Sequence, residues 1–478
     1  MRKLEGLKPE RVFYYFEEIS KIPRESYHEK EISDYLVQFG KDHNLEVYQD
    51  ESLNVVLRKK ASSGYENAPG VILQGHMDMV CEKEEDSKHD FSKDPIDLLI
   101  EGNHITANKT TLGADNGIAV AMGLAVLEDE NLLHGPLELL VTTSEEVDLG
   151  GALALKSGIL QGKMLINIDS EEEGILTVGS AGGEGVEITL PIEKINIRHP
   201  FAYRIKIQNF LGGHSGAEIH KQRGNANKAM VEVLDLLKEK VDFLLVSVKG
   251  GSKDNAIPRA AEVIIATEEK LDMTLREVLK EVKELYISFE PQVEMFFEEI
   301  INVYEAIDEN SFYQYVNLME EIPTGVYTWM KDYPEIVEAS DNLAIVKTEE
   351  ESIKITISLR SSEPDILARL KKCISEIAEK YKAKYEFSAG YPEWRYRSDS
   401  PLREKAIQIW KELTGEEMKV AIIHAGLECG ALSQNYPDID FISIGPNMQD
   451  VHTPEEKLEI ASTEKAYQYL VKLLQELK

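Results

Sequence analysis

Five side chains that commonly bind metal ions lie at the ends of separate apolar runs in this chain of 478 residues. In chain order they are His76, Asp115, Glu146, Asp169 and His452. Each apolar run is typical of a buried strand or lies beside one, so each residue stands where a hydrophobic stretch stops. Packing does not explain five such positions. Two imidazoles and three carboxylates are the ligand set of a hydrolase that activates water with two metal ions.

The first of these residues, His76, ends the apolar run 71–75 and is followed by Asp78. Side chains two residues apart on a strand lie on the same face. A carboxylate at this position can fix the tautomer of His76 and raise its basicity as a metal ligand. A hydrogen-bonded pair with a structural role is the alternative for this motif taken alone.

Asp115 stands directly before an apolar helix that the sequence predicts at 116–128. Capping the helix N-terminus is the usual role of an aspartate in this position. The alternative is that its two carboxylate oxygens bridge two cations.

Glu145 and Glu146 follow the apolar strand predicted at 137–142. Adjacent side chains point in different directions, so one of the two acids can bind metal while the other faces the reacting water. A general base beside a metal ligand is what metal-assisted hydrolysis requires. Two solvent-facing acids at a helix start would give the same pattern.

The remaining ligand candidates come from two further strands. Asp169 ends the apolar run 165–168, and His452 follows the strand predicted at 440–444. The complete donor set suits zinc, with manganese or cobalt as alternatives. A structural acidic protein that binds calcium loosely is disfavoured because calcium prefers oxygen ligands.

Three polar features lie outside these strand ends. His214 stands in a glycine-rich turn at 211–216, where glycines allow a sharp bend. A polar loop follows at 250–259, and Arg360 ends an apolar strand predicted at 353–359. The planar guanidinium of Arg360 could bind a carboxylate, or it could form a surface ion pair.

The elements that must position these residues alternate in type up to about residue 168. Continuous apolar strands separated by helices predict an α/β fold whose mixed, mainly parallel sheet is flanked by helices. Ligands bind such sheets beyond the carboxyl ends of the strands. The predicted strands are 55–58, 71–74, 137–142 and 164–168, and the predicted helices are 10–22, 29–43, 116–128 and 151–157.

From about residue 185 the strands alternate apolar and polar residues, which indicates one solvated face. This pattern predicts an inserted α+β domain. Its predicted helices are 225–241, 274–287, 308–321 and 364–382, with strands near 243–249, 261–268, 343–348 and 353–360. The first pattern returns with a helix at 402–413. The predicted division is therefore a first domain of 1–186 and 391–478, which carries the ligand candidates, with an inserted α+β domain at 187–390.

Composition excludes several classes of protein. A net charge of −33 disfavours nucleic acid as a partner, because phosphate binding needs a basic face. No apolar run reaches the length of a membrane span, and the N-terminus lacks the pattern of a signal peptide. Three cysteines do not indicate a disulfide framework, so we expect a cytoplasmic protein.

These motifs together resemble the M20 metallopeptidases, and within them the cytosolic aminoacyl-histidine dipeptidase group. The resemblance covers essentially the full length and is carried by the segments 19–24, 74–80, 112–117, 142–147, 168–170, 212–219 and 424–430. It assigns no role to His424, for which a substrate-specificity contact and a structural hydrogen bond are both open. The segment 146–148 reads Glu-Val-Asp, where many relatives carry a small residue after the acid pair.

The resemblance implies a division of the ligands between two ions. His76 and Asp169 would hold one zinc ion, Glu146 and His452 would hold the other, and Asp115 would bridge them. The fold implied is that of the zinc peptidases with an inserted lid domain.

The resemblance also implies roles for the remaining candidates. Asp78 would orient the first imidazole, and Glu145 would be the general base. His214 of the lid would polarise the scissile carbonyl or stabilise the oxyanion. Asn255 and Arg360 would bind the substrate backbone or its C-terminal carboxylate.

The implied activity is hydrolysis of dipeptides, of the Xaa-His type and broader, by water activated between two metals. Another M20 activity, such as an N-acyl amino acid deacylase or a tripeptidase, would share the metal residues. A peptide-binding protein without catalysis is a further alternative, which the intact Glu145 disfavours. The implied assembly is a homodimer through the lid, although an insert of this size could also replace dimerisation.

Overall fold

The structure is a computed structural model that describes residues 2–331 and 334–478. The chain divides into two compact units. Unit 1 consists of Met1–Ser180, Trp394–Ile422 and Leu427–Lys478, and unit 2 consists of Ala181–Glu393 and Ile423–Gly426. The sequence places the domain boundaries at 186/187 and 390/391, and it assigns the segment 423–426 to the first domain. The segment is part of unit 2 in the structure.

The first stretch of unit 1 contains the helices α1 (Glu10–Ile19), α2 (Lys30–Asp42), α3 (Ala114–Glu128), α4 (Glu145–Asp148) and α5 (Gly150–Ala154). Its strands are β1 (Glu46–Gln49), β2 (Val55–Lys59), β3 (Val71–His76), β4 (Leu98–Glu101), β5 (His104–Ala107), β6 (Leu137–Thr142), β7 (Met164–Asn167) and β8 (Ile175–Ser180).

Unit 2 follows with the strands β9 (Gly182–Pro191), β10 (Lys194–Asn196), β11 (Phe201–Gln208), β12 (Gly213–His214), β13 (Leu244–Gly250), β14 (Ala256–Ile257), β15 (Ala261–Thr267), β16 (Glu294–Ile300), β17 (Glu305–Ile307), β18 (Gly325–Trp329), β19 (Val337–Thr348), β20 (Ser352–Ser361) and β21 (Lys384–Phe387). Its helices are α6 (Ala226–Lys240), α7 (Asp272–Tyr286), α8 (Glu309–Glu321) and α9 (Pro364–Lys380), with a 3₁₀ helix at Ile219–Lys221.

The C-terminal part of the chain contains the helices α10 (Pro401–Thr414), α11 (Glu428–Asn435) and α12 (Ile460–Glu476). Its strands are β22 (Lys419–Ile423), β23 (Asp440–Ser443), β24 (Met448–Gln449) and β25 (Lys457–Glu459).

The main sheet of unit 1 has the strand order β1-β2-β6-β3-β7-β23-β8-β22. The central strands β6, β3, β7 and β23 pair in parallel, whereas β1–β2, β2–β6 and β23–β8 are antiparallel. Parallel strands need both faces covered, and every residue of β3 and β6 is buried. The predicted α/β class with a mixed sheet and flanking helices is confirmed, and the parallel pairs lie at the centre of this sheet.

Helix α3 lies in the core of unit 1 and packs against α1 and β3. Its residues are buried around almost the whole circumference, which is why its sequence shows no polar face. This burial holds the N-terminus of α3, and with it Asp115, close to the carboxyl end of β3.

Unit 2 is built on a nine-stranded sheet with the order β16-β11-β15-β13-β19-β20-β9-β21, and β18 pairs with β19. Alternate residues of β20 are buried, in agreement with the one-sided alternation of the sequence. The helices α6, α7, α8 and α9 contribute apolar side chains to the core of this unit.

Several element bounds differ from the sequence-based prediction. Helix α1 ends at Ile19 instead of residue 22, and α5 ends at Ala154 instead of residue 157 because Leu155 is extended. Strand β19 begins at Val337 instead of residue 343, since the polar residues 340–342 are buried there and break the expected alternation. The helices α11 and α12 were not predicted. No helix in the described residues is long and apolar enough to cross a membrane.

Candidate metal centre

The five ligand candidates converge at the carboxyl edge of the parallel strands in unit 1. His76 is the last residue of β3, Asp115 lies in the first turn of α3, and Glu146 lies in α4 directly after β6. Asp169 follows β7, and His452 lies in the loop between β24 and β25. His76, Asp115 and Glu146 each offer one ligand atom within 4.8 Å of the others.

Asp115 stands between the two imidazoles. Its Oδ1 lies 3.2 Å from His76 Nε2, and its Oδ2 lies 3.0 Å from His452 Nε2. On the first side, Asp169 Oδ1 is 3.6 Å from His76 Nε2. On the second side, Glu146 Oε2 is 3.0 Å from His452 Nε2. The five residues therefore form two groups that share one carboxylate.

Glu145 lies beside the first group, with its Oε2 3.7 Å from His76 Nε2. Burial raises the pKa of Glu145 well above its ordinary value. The preceding Ser144 adopts a left-handed φ of 53°. Glu29 holds it there, because its Oε1 accepts hydrogen bonds from the Ser144 amide at 2.8 Å and from the hydroxyl at 3.0 Å. This bend turns the chain out of β6 and into the acid pair.

Asp78 connects the first imidazole to the acid pair. Its Oδ1 lies 3.4 Å from His76 Nδ1, which also lies 3.2 Å from the backbone oxygen of Asp78. The amides of Glu145 and Glu146 donate to the two Asp78 carboxylate oxygens at 3.1 and 3.2 Å. Sequence reasoning gave Asp78 the contact with His76 and did not predict its bonds to these amides.

The loop that carries Asp115 is held by two buried charged residues that sequence reasoning missed. The Glu456 carboxylate accepts hydrogen bonds from the amides of residues 112–115, at 2.8, 3.0, 2.8 and 3.3 Å. From the other side, Arg24 donates to the backbone oxygens of Met77, Asp78 and Gly113. Arg24 ends the segment 19–24 quoted from the sequence, whereas Glu456 lies outside the quoted motifs. The partners of both are backbone atoms, which no side-chain pattern reveals.

The electrostatics of the centre favour positive charge. Burial opposes protonation of His76, but Asp169 and the other carboxylates raise its pKa well above the ordinary value. Burial also opposes charge on His452, yet hydrogen bonds to Asp115 and Glu146 raise its pKa to about 11. Burial raises the pKa values of Glu146 and Asp169. A cation that binds here must therefore compete with protons.

The donor set fits two divalent ions. Each group supplies one imidazole and one carboxylate of its own, and Asp115 gives one oxygen to each. Glu146 Oε1 is buried without a hydrogen-bond partner within the described residues, as expected for an oxygen kept for a cation. Mixed nitrogen and oxygen ligands suit zinc and its neighbours.

His214 lies in unit 2, where its Nδ1 accepts hydrogen bonds from the amides of Gly216 and Ala217 at 3.1 and 3.0 Å. An acceptor Nδ1 in a neutral imidazole leaves the ring proton on Nε2. His214 is thereby set as a hydrogen-bond donor through Nε2. The backbone oxygen of Asn255 accepts from the Ser215 amide at 2.8 Å, so the polar loop braces this turn, and the Asn255 side chain is exposed.

Arg360 and His424 also lie in unit 2. Arg360 Nη1 donates to Tyr391 Oη at 2.5 Å, and the register of β19 and β20 sets Arg360 opposite Ser340. His424 Nε2 lies 2.7 Å from Ser340 Oγ. Burial, followed by the nearby Arg360, lowers the pKa of His424 to about 3, so this imidazole is neutral. The structure thus provides the structural hydrogen bond that the sequence left open for His424.

Comparison with known proteins now identifies the family. A model described as peptidase family M20/M25/M40 matches residues 72–476. The chain belongs to this family, as the sequence predicted. It is 36% identical over 489 aligned positions to the cytosol non-specific dipeptidase of Escherichia coli (strain K12). The alignment covers 100% of this chain and 99% of that protein.

Solved structures agree with this assignment. The aminoacylhistidine dipeptidase from Vibrio alginolyticus matches with a TM-score of 0.88 and 34% identity over 99% of this chain and 98% of that one. A tripeptidase from Staphylococcus aureus matches with a TM-score of 0.58 and 16% identity over 98% of this chain and 99% of that one, which shows the shared fold alone.

Proposed function

We propose that this protein is a metal-dependent dipeptidase that cleaves short peptides, including those of the Xaa-His type, with water activated by two divalent ions. One observation carries the proposal: Asp115 is shared between two imidazole–carboxylate groups, and Glu145 lies beside them. The choice of dipeptides rests on two relatives that are more than 30% identical to this chain, both of which are named as dipeptidases.

The ligand assignment follows the two groups. His76 and Asp169 would hold one ion, His452 and Glu146 would hold the other, and Asp115 would offer one carboxylate oxygen to each. Zinc is the proposed metal, with manganese or cobalt as alternatives that fit the same donors. When bound, the two cations supply Lewis acidity that lowers the pKa of water toward about 7 and polarises the scissile carbonyl.

The side chains around the ions transfer the proton of the attacking water and position the groups that do so. Glu145 takes the proton of the attacking water and passes it to the leaving amine. Its burial, which raises its pKa, makes the carboxylate a stronger base than an exposed glutamate. Asp78 holds both the His76 ring and the amides of the acid pair, so it keeps base and ligand in one arrangement.

Residues of unit 2 stabilise the oxyanion and bind the substrate in this proposal. His214, with its proton on Nε2, stabilises the oxyanion that forms on the carbonyl. Asn255 and Arg360 bind the substrate backbone and its terminal carboxylate, and His424 braces this region through Ser340. A homodimer through unit 2, in which His214 serves a second copy, and a cytoplasmic location are parts of the same proposal.

The test is hydrolysis of a peptide panel by chelator-treated protein before and after zinc, manganese or cobalt is restored. The panel contains β-alanyl-His, Gly-His, tripeptides and N-acyl amino acids. We expect restored cleavage of the dipeptides. Exclusive cleavage of N-acyl amino acids or tripeptides would contradict the dipeptidase assignment in favour of another M20 activity, and no cleavage would favour a binding protein.

The same assay tests the base. Glu145→Gln should lower turnover by about 10²–10⁴-fold while the protein still binds its metals. Glu130→Gln, a matched change at an exposed glutamate, should leave turnover unchanged. Full turnover in the Glu145→Gln protein with its metals in place would remove Glu145 from the mechanism.

A further inference from the structure

A carboxyl group that the reaction does not use lies buried below the metal centre. Glu428, the first residue of α11, is completely buried. Its Oε2 accepts hydrogen bonds from Gln74 Nε2 at 2.6 Å and from Thr142 Oγ1 at 2.7 Å. Gln74 Oε1 in turn accepts from Asn167 Nδ2 at 2.6 Å. One carboxyl thus anchors a chain of hydrogen bonds across several strands.

The strands in this network are adjacent and parallel. Gln74 lies on β3, Thr142 on β6 and Asn167 on β7, in the sheet order β6-β3-β7. Their register places Gln74 beside Asn167 and places Thr142 beside His76. The network therefore crosses the sheet at the level where these strands end.

Each anchored residue lies two or three positions before a residue of the metal centre. Gln74 stands two positions before His76, and Thr142 stands three positions before Glu145. Asn167 stands two positions before Asp169, and a spacing of two keeps side chains on the same face. The network therefore holds the strand ends that lead directly into the ligands and the base.

The charge of Glu428 fixes the direction of every bond in this layer. A carboxylate is purely an acceptor, so it requires the Nε2 of Gln74 to face it. The Oε1 of Gln74 must then face Asn167. Glu428 Oε1 and Asn167 Oδ1 are buried without a hydrogen-bond partner in the described part of the chain, and burial raises the pKa of Glu428 to about 7. An acid in such a place is costly for the fold, since burial penalises its charge.

We propose that Glu428 is a positioning residue that aligns the ends of β6, β3 and β7, and thereby sets the spacing between the two metal ligand groups and Glu145. The role rests on the proposed two-metal function. Glu428 acts through Gln74, Thr142 and Asn167 and does not touch substrate.

The test compares Glu428→Gln with Glu412→Gln. Glu412 is a matched control because it is exposed and its Oε1 accepts from the Gln408 amide at 2.7 Å. Cobalt(II) is bound to each protein, and its visible absorption spectrum reports the ligand geometry. Cobalt affinity, kcat and KM for a dipeptide, and urea unfolding of the metal-free protein are measured in parallel.

For Glu428→Gln we expect an altered cobalt spectrum, a cobalt Kd raised by about 10–100-fold, and kcat lowered at least about tenfold with a small change in KM. Glu412→Gln should match the wild type in each measurement. Thr142→Val removes one hydroxyl donor and keeps the shape of the side chain, and it should change the cobalt spectrum in the same direction. If Glu428→Gln does not fold, the spectrum of Thr142→Val tests the positioning role instead.

A folded Glu428→Gln protein with the wild-type cobalt spectrum and kcat, but with lower stability, would overturn the proposal and leave Glu428 a structural residue. A wild-type protein that binds cobalt and hydrolyses no peptide would refute the proposed function instead. The spectra of the variants would still decide the positioning role in that case.

Discussion

Replacing Glu456 with glutamine tests how the loop of the bridging ligand is held. The two carboxylate oxygens of Glu456 each accept two backbone amides from residues 112–115. Glutamine keeps one of these oxygens and turns the other into an NH₂ group that faces two N–H donors. Two hydrogen bonds to a charged acceptor are therefore lost, and Arg24, which is fully buried nearby, loses the charge of its partner.

The expected cost follows from these contacts. Hydrogen bonds to charged groups contribute about 1.5–3 kcal/mol each, and removal of one partner of a buried charge pair costs about 3–5 kcal/mol. Burial disfavours the Glu456 carboxylate and raises its pKa, so part of the loss is offset. We expect Glu456→Gln to lower the unfolding free energy of unit 1 by about 3 kcal/mol, and to weaken metal binding because Asp115 follows the loop.

The assay is urea unfolding of the chelator-treated protein, together with zinc affinity. Glu455→Gln is the control, because Glu455 is the exposed neighbour and its substitution should change stability by less than about 0.5 kcal/mol. Equal midpoints and equal zinc affinities for the two variants would refute the reasoning that Glu456 holds the Asp115 loop.

Three further predictions concern other parts of the chain. His214→Ala should lower kcat by about 10²–10³-fold with little change in metal content, whereas His220→Ala, at an exposed histidine, should not; equal kcat values would exclude His214 from the reaction. Burial raises the pKa of Asp341 in the folded protein to about 7, above its pKa in the unfolded chain. Ionisation of Asp341 therefore destabilises the fold increasingly as the pH rises from the unfolded pKa toward 7. The gain in unfolding free energy from Asp341→Asn in urea should therefore grow by about 2 kcal/mol between about pH 5 and 7, and a constant gain would contradict this. Gly75→Ala would place a Cβ 2.3 Å from Asn116 Oδ1, which also accepts from the His76 amide, so we expect a loss of about 2–4 kcal/mol in urea unfolding, and wild-type stability would show that the strand end can relax.

The pattern of the sequence brings four of the five candidate ligands to one sheet edge, because His76, Glu146, Asp169 and His452 each follow an apolar strand. The carboxyl ends of parallel strands meet at one edge of a sheet, so His76, Glu146 and Asp169 had to lie near one another. The pattern also placed His452 after β23, which pairs in parallel with β7. Local periodicity was therefore sufficient for the strands that carry these residues.

The supporting residues could not be predicted in the same way. Glu456 and Arg24 bind backbone atoms, which leave no mark on the types of the residues they contact. Glu428 bonds to Gln74 across 354 positions of the chain, a separation that no local window includes. Strand β16 was missed because its many glutamates hide the alternation of its apolar residues. Tertiary contacts decide these features.

The most direct test of the central claim is a zinc titration of the metal-free protein with dipeptide hydrolysis followed in the same samples. We expect two zinc ions to bind per chain and hydrolysis to appear with them. His452→Ala should remove one of the two ions, since it deletes the imidazole of the second ligand group. Dipeptide hydrolysis at the full rate in protein without metal, or no zinc bound by a folded wild type, would contradict the account.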